Sequence, residues 1–364
     1  MRKGKVMRIG VFGATGEVGK GVLKVLAQEK YQVTAYYRTP RKAYELKRIY
    51  YPKIDFEQID LQRMESIELA CEKCDILINC AGPASEILDR IACVCIQKRK
   101  LYVDVAGGRT LRQKIELDYK TYNRGCCVLG AGIYPGLTEV FASAIAKSQS
   151  SLKELRMYFY GNSSLSENAA YDIVAGMTES ASGMSYLRDG KVLKIIGNEI
   201  KDLKAKAPFD ELVIMPVLNG EFCEMVFKRK IPTAYFYQSF FNEKALIDFI
   251  MIKALEKYKT VEQKKESAKK IQELLYSPSR DREIILLVEY ITTEKKGSKK
   301  WVQFWSDEDW SLMTGYVAGL VATEMAKKMH TVQGVFYLGE MENVEKILER
   351  LTSFCKITIS KGNN

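Results

Sequence analysis

The chain has 364 residues, of which 47% are hydrophobic and 28% charged, a composition that excludes disordered and fibrous classes and leaves room for about two domains. Its formal net charge of +11 comes from basic residues scattered through KRK, EQKKESAKK and EKKGSKK rather than gathered in one stripe with interleaved aromatics, so no nucleic-acid partner is expected. No uncharged apolar run of about 20 residues occurs, and MRKGKVMRIG passes straight into a strand, so neither a membrane span nor a secretory signal is expected and the chain is placed in the cytoplasm.

In chain order, the apolar segments VMRIGVFG, QVTAYYR, IDFEQID, DILINC, LYVDVA and CCVLGAG read as strands. Between them lie helical patterns such as EVGKGVLKVLAQE, RMESIELACEKC, ASEILDRIACVCIQKR and TLRQKIELDYKTYNR. Strict alternation of strand and helix predicts a doubly wound α/β domain with a parallel sheet covered on both faces, from about Val6 to Lys147. Its ligand belongs beyond the carboxyl ends of the strands, at the point where the strand order reverses.

The stretch VFGATGEVGKGVL carries Gly13, Gly16 and Gly19 between the first strand and the first helix. Glycines there let the chain turn tightly and let backbone amides approach a pyrophosphate at the helix N-terminus. At the end of the second strand, where a carboxylate would meet the ribose hydroxyls of NAD, the sequence reads YYRTPRK. Arg38 holds the acidic position, with Thr39 and Arg41 beside it, and a guanidinium pairs with the 2′-phosphate that a carboxylate would repel. The expected cofactor is therefore NADP(H).

The nine cysteines lie mostly inside apolar patterns, as small buried hydrophobes do in reducing compartments. Cys71 and Cys74 form a CxxC pair, but Cys93 and Cys95 are two apart in a helical pattern and point to different faces, so no metal site is expected.

From Ser151 the rhythm changes. KELRMYFYG, ELVIMPV, FCEMVFK and TAYFYQSFF read as strands, while SENAAYDIVAGMTES, EKALIDFIMIKALEKY and VEQKKESAKKIQELLY read as helices. A long β-hairpin, REIILLVEYITTEKKGSKKWVQFWSDED, follows, with its turn at EKKGSKK. These elements predict an α+β domain built on a mostly antiparallel sheet. In the lysine-rich helix from Val261, Glu262, Glu266 and Glu273 sit among the lysines, a solvated charge-paired face rather than a membrane-binding one.

GATGEVG, INCAGP, YVDVAGG and GAGIYPGLTEVFA, with the late segment MTGYVAGLVATEMAKKMHTVQGVF, resemble the saccharopine dehydrogenase-like family. The resemblance implies an NADP-binding Rossmann domain over residues 1–148, an inserted α+β domain for substrate and dimerisation over 149–310, and closing helices over 311–364 that return to the Rossmann domain. It implies a homodimer acting on a small-molecule substrate, and chemistry that interconverts a secondary amine and its imine. By position, Gly13, Thr15, Gly16, Val18 and Gly19 form the pyrophosphate loop and Arg38, Thr39 and Arg41 the 2′-phosphate site. Asp60 and Leu61 flank the adenine, and Ala81, Gly82 and Pro83 line the cofactor further on. Many relatives carry an acidic residue before the Pro-Gly of the sixth strand, where this chain has Tyr134.

None of the 21 tyrosines has a lysine four residues later, which disfavours the Tyr-Lys proton donor of short-chain dehydrogenases. The sole histidine, His330, ends the closing helix, where the dipole favours it as a capping or surface residue. Reduction of an iminium needs less acid-base help, since the nitrogen arrives protonated, and positioning with a few polar anchors suffices. Candidate catalytic residues are Tyr134, at the mouth of the sixth strand, and Tyr171 and Asp172, on the first helix of the inserted domain: a phenol donates a proton and a carboxylate orients a cationic amine. Pro135 and Gly136 open a helix whose N-terminus suits a substrate carboxylate. An NADP(H)-dependent oxidoreductase acting on C=N or CH–NH is the leading reading; an ene or carbonyl reductase and a non-catalytic NADP(H)-binding regulator are the alternatives.

Overall fold

A computed structural model describes residues 6–177, 183–195, 207–293, 299–328 and 332–363. The chain divides into two compact units. One comprises Met1–Leu137, Ser311–Met341 and Glu349–Phe354; the other comprises Thr138–Trp310, Glu342–Leu348 and Cys355–Asn364.

Strand and helix alternate through the first part as β1 (Arg8–Phe12), α1 (Glu17–Leu26), β2 (Gln32–Tyr37), α2 (Pro40–Tyr50), β3 (Ile54–Gln58), α3 (Met64–Lys73) and β4 (Ile76–Asn79). Then come α4 (Ala84–Ile87), α5 (Arg90–Gln97), β5 (Leu101–Asp104), α6 (Arg109–Tyr122), β6 (Cys126–Leu129) and α7 (Leu137–Lys147). The middle of the chain supplies β7 (Leu152–Asn162), α8 (Glu167–Gly176), β8 (Ser185–Arg188), β9 (Lys191–Lys194), β10 (Val213–Pro216), α9 (Gly220–Arg229) and β11 (Thr233–Phe240). After α10 (Glu243–Ala254), α11 (Val261–Leu274), β12 (Glu283–Thr292) and β13 (Lys299–Ser306), the chain closes with α12 (Trp310–Lys327), β14 (Gly334–Tyr337), α13 (Glu345–Leu351) and β15 (Thr358–Asn363).

In the first unit a seven-stranded sheet runs in the order β14-β6-β5-β4-β1-β2-β3, with every neighbour parallel. The order reverses between β1 and β4, which is where an open α/β sheet forms a ligand crevice. β4, β5 and β6 are buried at every position, as strands covered on both faces must be. Phe12 stacks on Tyr36 with ring centroids 5.2 Å apart, and the same core takes in Ile67, Ile91, Tyr102 and Leu129. Cys71 and Cys95 lie side by side in it, their sulfurs 3.8 Å apart.

A second sheet, in the other unit, runs β15-β13-β12-β7-β11-β8-β9, with β10 paired to β11. β7 and β11 are parallel and every other pairing is antiparallel. Alternate residues Tyr158, Tyr160, Tyr237, Ile285 and Leu287 form one aromatic cluster with Phe209. Ala170, Val174, Phe240, Ile252 and Ile271 form another, built on the helices.

Three elements differ from the sequence reading. FCEMVFK, expected as a strand, is the body of helix α9: Asn219 caps it by accepting the Phe222 amide at 2.6 Å, and Phe222, Cys223, Met225 and Val226 are buried at helical spacing. An unanticipated hairpin, β8–β9, turns at Asp189 and Gly190, both at positive φ, the Asp-Gly signature of a tight hairpin. After α12, QGVFYLG supplies the seventh parallel strand rather than a turn alone, while β15 pairs with β13, so the tail beyond 311 is shared between the two units. The hairpin β12–β13 forms as read, with its turn at 294–298 outside the described residues.

Candidate functional site

At the switch point the chain leaves β1 through Gly13, whose φ is +71°. A Cβ there would lie 2.6 Å from the backbone of Cys80 and Ala81, so the loop after β1 packs directly on the loop after β4. A Cβ on Gly19 would lie 2.4 Å from the Gly13 carbonyl, which makes that glycine a requirement of loop-on-helix packing. Gly16 differs: a Cβ there meets nothing nearer than 3.5 Å, and the residue is exposed. The first and third glycines thus serve the turn and the packing, and the middle one keeps the approach to the backbone open.

Helix α1 begins after Gly16 with no side-chain cap, and α2, α3, α5 and α6 lack one too, whereas Ser166, Asn219, Asn242 and Thr260 cap α8, α9, α10 and α11. Its first-turn carboxylate, Glu17, is paired with Lys20 at 2.6 Å. An uncapped helix N-terminus beside an exposed glycine backbone matches the needs of a pyrophosphate. Thr15 and Val18, half-buried, flank it.

At the end of β2, Tyr37 is buried while Arg38, Thr39 and Arg41 are exposed around the start of α2, whose N-cap is Thr39. Gln58 donates to the Arg38 carbonyl at 3.1 Å, fixing the backbone from which the guanidinium projects. Among the described residues neither Arg38 nor Arg41 has an ion-pair partner, so two cations stand available to a phosphate. Asp60 and Leu61 lie in the turn just past β3: Asp60 accepts the Gln62 amide at 2.9 Å, and the Leu61 carbonyl accepts Arg90 Nη1 at 2.8 Å. Ala81, Gly82 and Pro83 form the half-buried link from β4 to α4.

Beneath that link is a polar knot that residue patterns only hinted at. Asn79 accepts the Ala81 amide at 3.1 Å and donates to Asp104 Oδ2 at 3.1 Å. Asp104 also accepts the Tyr102 hydroxyl and, through Oδ1, the Ala106 amide at 2.9 Å. Burial first, then the neighbouring Asp104 charge, pushes the Tyr102 phenol well above its ordinary range and raises the Cys80 thiol likewise. The Ala106 carbonyl in turn accepts the Gly130 amide at 2.7 Å, so one carboxylate ties together the loops after β4, β5 and β6.

Tyr134 rides on the turn after β6. Gly136, at φ +131°, makes that turn: a Cβ there would lie 2.3 Å from both the Gly130 and Gly132 carbonyls. Tyr134 itself is half-buried. In the second unit, Tyr171 is buried in the helical core beside Val174 and Ile271, with Lys264 Nζ 5.9 Å from its ring centre, and Asp172 is half-buried next to it. The first turn of α7 already holds a carboxylate of its own: Glu139 is fully buried and accepts Thr138 Oγ1 at 2.7 Å and Asn219 Nδ2 at 3.4 Å. His330 lies outside the described residues.

Residues 9–154 match the saccharopine dehydrogenase NADP binding domain family. That stretch is a saccharopine dehydrogenase-like NADP-binding domain. NADP(H) is the cofactor of this domain, and the family is one of NADP-binding oxidoreductases. Across the whole chain the fold is that of saccharopine dehydrogenase (L-Glu forming) from Saccharomyces cerevisiae, at a TM-score of 0.68 and 13% identity, covering 98% of this chain and 100% of that one. A likeness to vestitone reductase from alfalfa (Medicago sativa) is confined to 34% of this chain and 56% of that one, at 18% identity and a TM-score of 0.28, and adds nothing to the assignment. No curated protein matches the sequence at a significant level. No helix among the described residues is long and apolar enough to cross a membrane.

Proposed function

We propose that the protein is an NADP(H)-dependent oxidoreductase that reduces a C=N bond, or oxidises the corresponding amine, of a small amino-acid-like or specialised metabolite. What carries the reading is the union of an NADP-binding domain with the complete fold of a saccharopine dehydrogenase. NADP(H), when bound, supplies or accepts the hydride.

The chain's own residues hold and orient. Gly13, Thr15, Gly16, Val18 and Gly19, with the first-turn amides of α1, receive the pyrophosphate. Arg38, Thr39 and Arg41 take the 2′-phosphate, and Asp60 and Leu61 flank the adenine. Ala81, Gly82 and Pro83, held from below by Asn79 and Asp104, line the cofactor towards the nicotinamide. A protonated imine takes the hydride and needs no further proton, so Tyr134 orients the nitrogen and gives up its proton only to an imine that arrives neutral. Asp172 orients the cationic nitrogen. Tyr171 is the competing phenol, and its packing among Val174 and Ile271 favours Tyr134 over it.

A panel of cyclic imines, enones and ketones, scored by NADPH oxidation, tests the reading. Turnover of an imine, reduced about 10-fold or more in kcat by Tyr134→Phe and much less by Tyr171→Phe, is the expected outcome. Turnover of ketones or enones with imines inert would overturn it.

A further inference from the structure

The closing helix α12 crosses α1 backbone against backbone. A Cβ on Gly315 would stand 2.0 Å from the Val18 carbonyl oxygen, 2.7 Å from Gly21 Cα and 2.8 Å from the Val22 nitrogen. Reciprocally, a Cβ on Gly21 would stand 2.3 Å from the Leu312 carbonyl. No rotamer change relieves such contacts, because the atoms met are main chain. One turn further along α12 the situation changes: the nearest atoms to a Cβ on Gly319 would be those of the Val25 side chain, at 2.9 Å and beyond.

Val18 lies in the first turn of α1, and Gly19 beside it is locked on the Gly13 carbonyl. The glycine loop is therefore held from one side by Cys80 and Ala81 and from the other by the backbone of α12. The neighbouring Thr314 reaches the turn that carries Tyr134, its Cγ2 3.1 Å from where a Gly132 Cβ would stand. Leu312 to Gly315, nearly 300 residues after the loop in sequence and beyond residues 9–154, thus touch both the pyrophosphate loop and the Tyr134 turn.

We propose that Gly315 is a positioning residue for the cofactor: its missing side chain sets the depth of α1 against α12 and thereby the place of the first-turn amides that face the pyrophosphate. The inference rests on the cofactor reading given above. Gly315→Ala must move the Val18 carbonyl by about 1 Å to reach even the shortest tolerated contact of 3.0 Å, and shifts of that size degrade bound geometry steeply.

Equilibrium titrations with NADPH and with adenosine 2′-monophosphate, which carries the 2′-phosphate but no pyrophosphate, separate positioning from general damage. Gly315→Ala is expected to weaken NADPH by about 10-fold or more while leaving adenosine 2′-monophosphate within about twofold of wild type. Gly319→Ala is expected to leave both affinities within about twofold, whatever it does to the melting temperature. Unchanged NADPH affinity in Gly315→Ala, or equal loss of both ligands, overturns the proposal. Should Gly315→Ala fail to fold, hydrogen exchange on the wild-type chain decides: slower exchange of the 312–319 amides on adding NADPH is expected, and no change there overturns it. A wild-type chain that binds neither ligand would instead defeat the cofactor reading itself.

Discussion

Asp104 is 2% exposed and accepts the Tyr102 hydroxyl, Asn79 Nδ2 and the Ala106 amide, so its replacement by asparagine measures what the knot contributes. Asp104→Asn keeps the shape and retains an acceptor for Ala106, but sets an NH₂ group where Oδ2 stood. The Tyr102 hydroxyl can turn and accept. Asn79 cannot, because flipping its amide would withdraw the oxygen that holds the Ala81 amide at 3.1 Å. One hydrogen bond to a charged acceptor is lost, about 1.5–3 kcal/mol, and a buried donor is stranded, about 1–3 kcal/mol, together about 2.5–6 kcal/mol. Tyr102→Phe leaves the carboxylate the Asn79 and Ala106 donors and should cost about 1–2 kcal/mol. Since both changes act on one carboxylate, the double variant should depart from additivity by about 1 kcal/mol or more. Urea denaturation at neutral pH, followed by circular dichroism, gives all three values. A loss below about 1 kcal/mol for Asp104→Asn, or strict additivity, would refute the reasoning.

Other consequences are equally concrete. Gly136→Ala forces a Cβ into two carbonyls at φ +131° and should lower stability by about 3 kcal/mol or more; an unchanged thermal midpoint would show that the turn after β6 is not built as described. Glu342 is held down to about 2 by hydrogen bonds from Arg229 and Lys147. A depressed carboxyl stabilises above its unfolded value of about 4.3 and loses that contribution as pH falls towards 2. Because its side chain is 60% exposed, Glu342→Gln should cost only about 0.5–1 kcal/mol at pH 7, and a deficit that persisted unchanged to pH 2 would contradict the pairing. The nine thiols are all free, and six of them, Cys71, Cys74, Cys95, Cys126, Cys127 and Cys223, are buried. Burial pushes Cys74 up to about 11 and Cys126 up to about 12. A thiol reagent at pH 8 should therefore titrate nine groups in denatured protein and no more than three rapidly in the native one; a larger native count would argue against those cores.

Much of this was legible in the residues because the signals were local and periodic. Strand and helix alternate over the first 130 residues with apolar strands and amphipathic helices, and each of the six expected strands is present in one parallel sheet. Gly13, Gly16 and Gly19 could be placed, but their division of labour could not: it depends on Cys80 and Ala81, brought in by β4. FCEMVF fits an apolar run of either kind, and the deciding signal was the preceding Asn219 cap. The Asn79–Asp104–Tyr102 knot joins two strands that pair only in three dimensions, so LINCAGP and LYVDVAGG each showed half of it. Likewise the Gly21–Gly315 crossing joins positions far apart in sequence, and neither glycine looks remarkable in its own helix. Tyr171 shows the converse limit: a tyrosine on an amphipathic helix reads equally as a functional phenol or as core, and packing with Val174 and Ile271 shows it as core.

Central to the account is a phosphorylated dinucleotide seated on the Gly13 loop and chosen by the cations of YYRTPRK. Fluorescence titration of the wild-type chain and of Arg38→Asp with NADPH and NADH tests it most directly. An exposed guanidinium–phosphate pair worth about 1.5–3 kcal/mol corresponds to roughly 10- to 100-fold, so wild type should bind NADPH more tightly than NADH by about that factor and Arg38→Asp should lose the preference. Equal binding of the two cofactors by wild type, or an undiminished NADPH preference in Arg38→Asp, would contradict it.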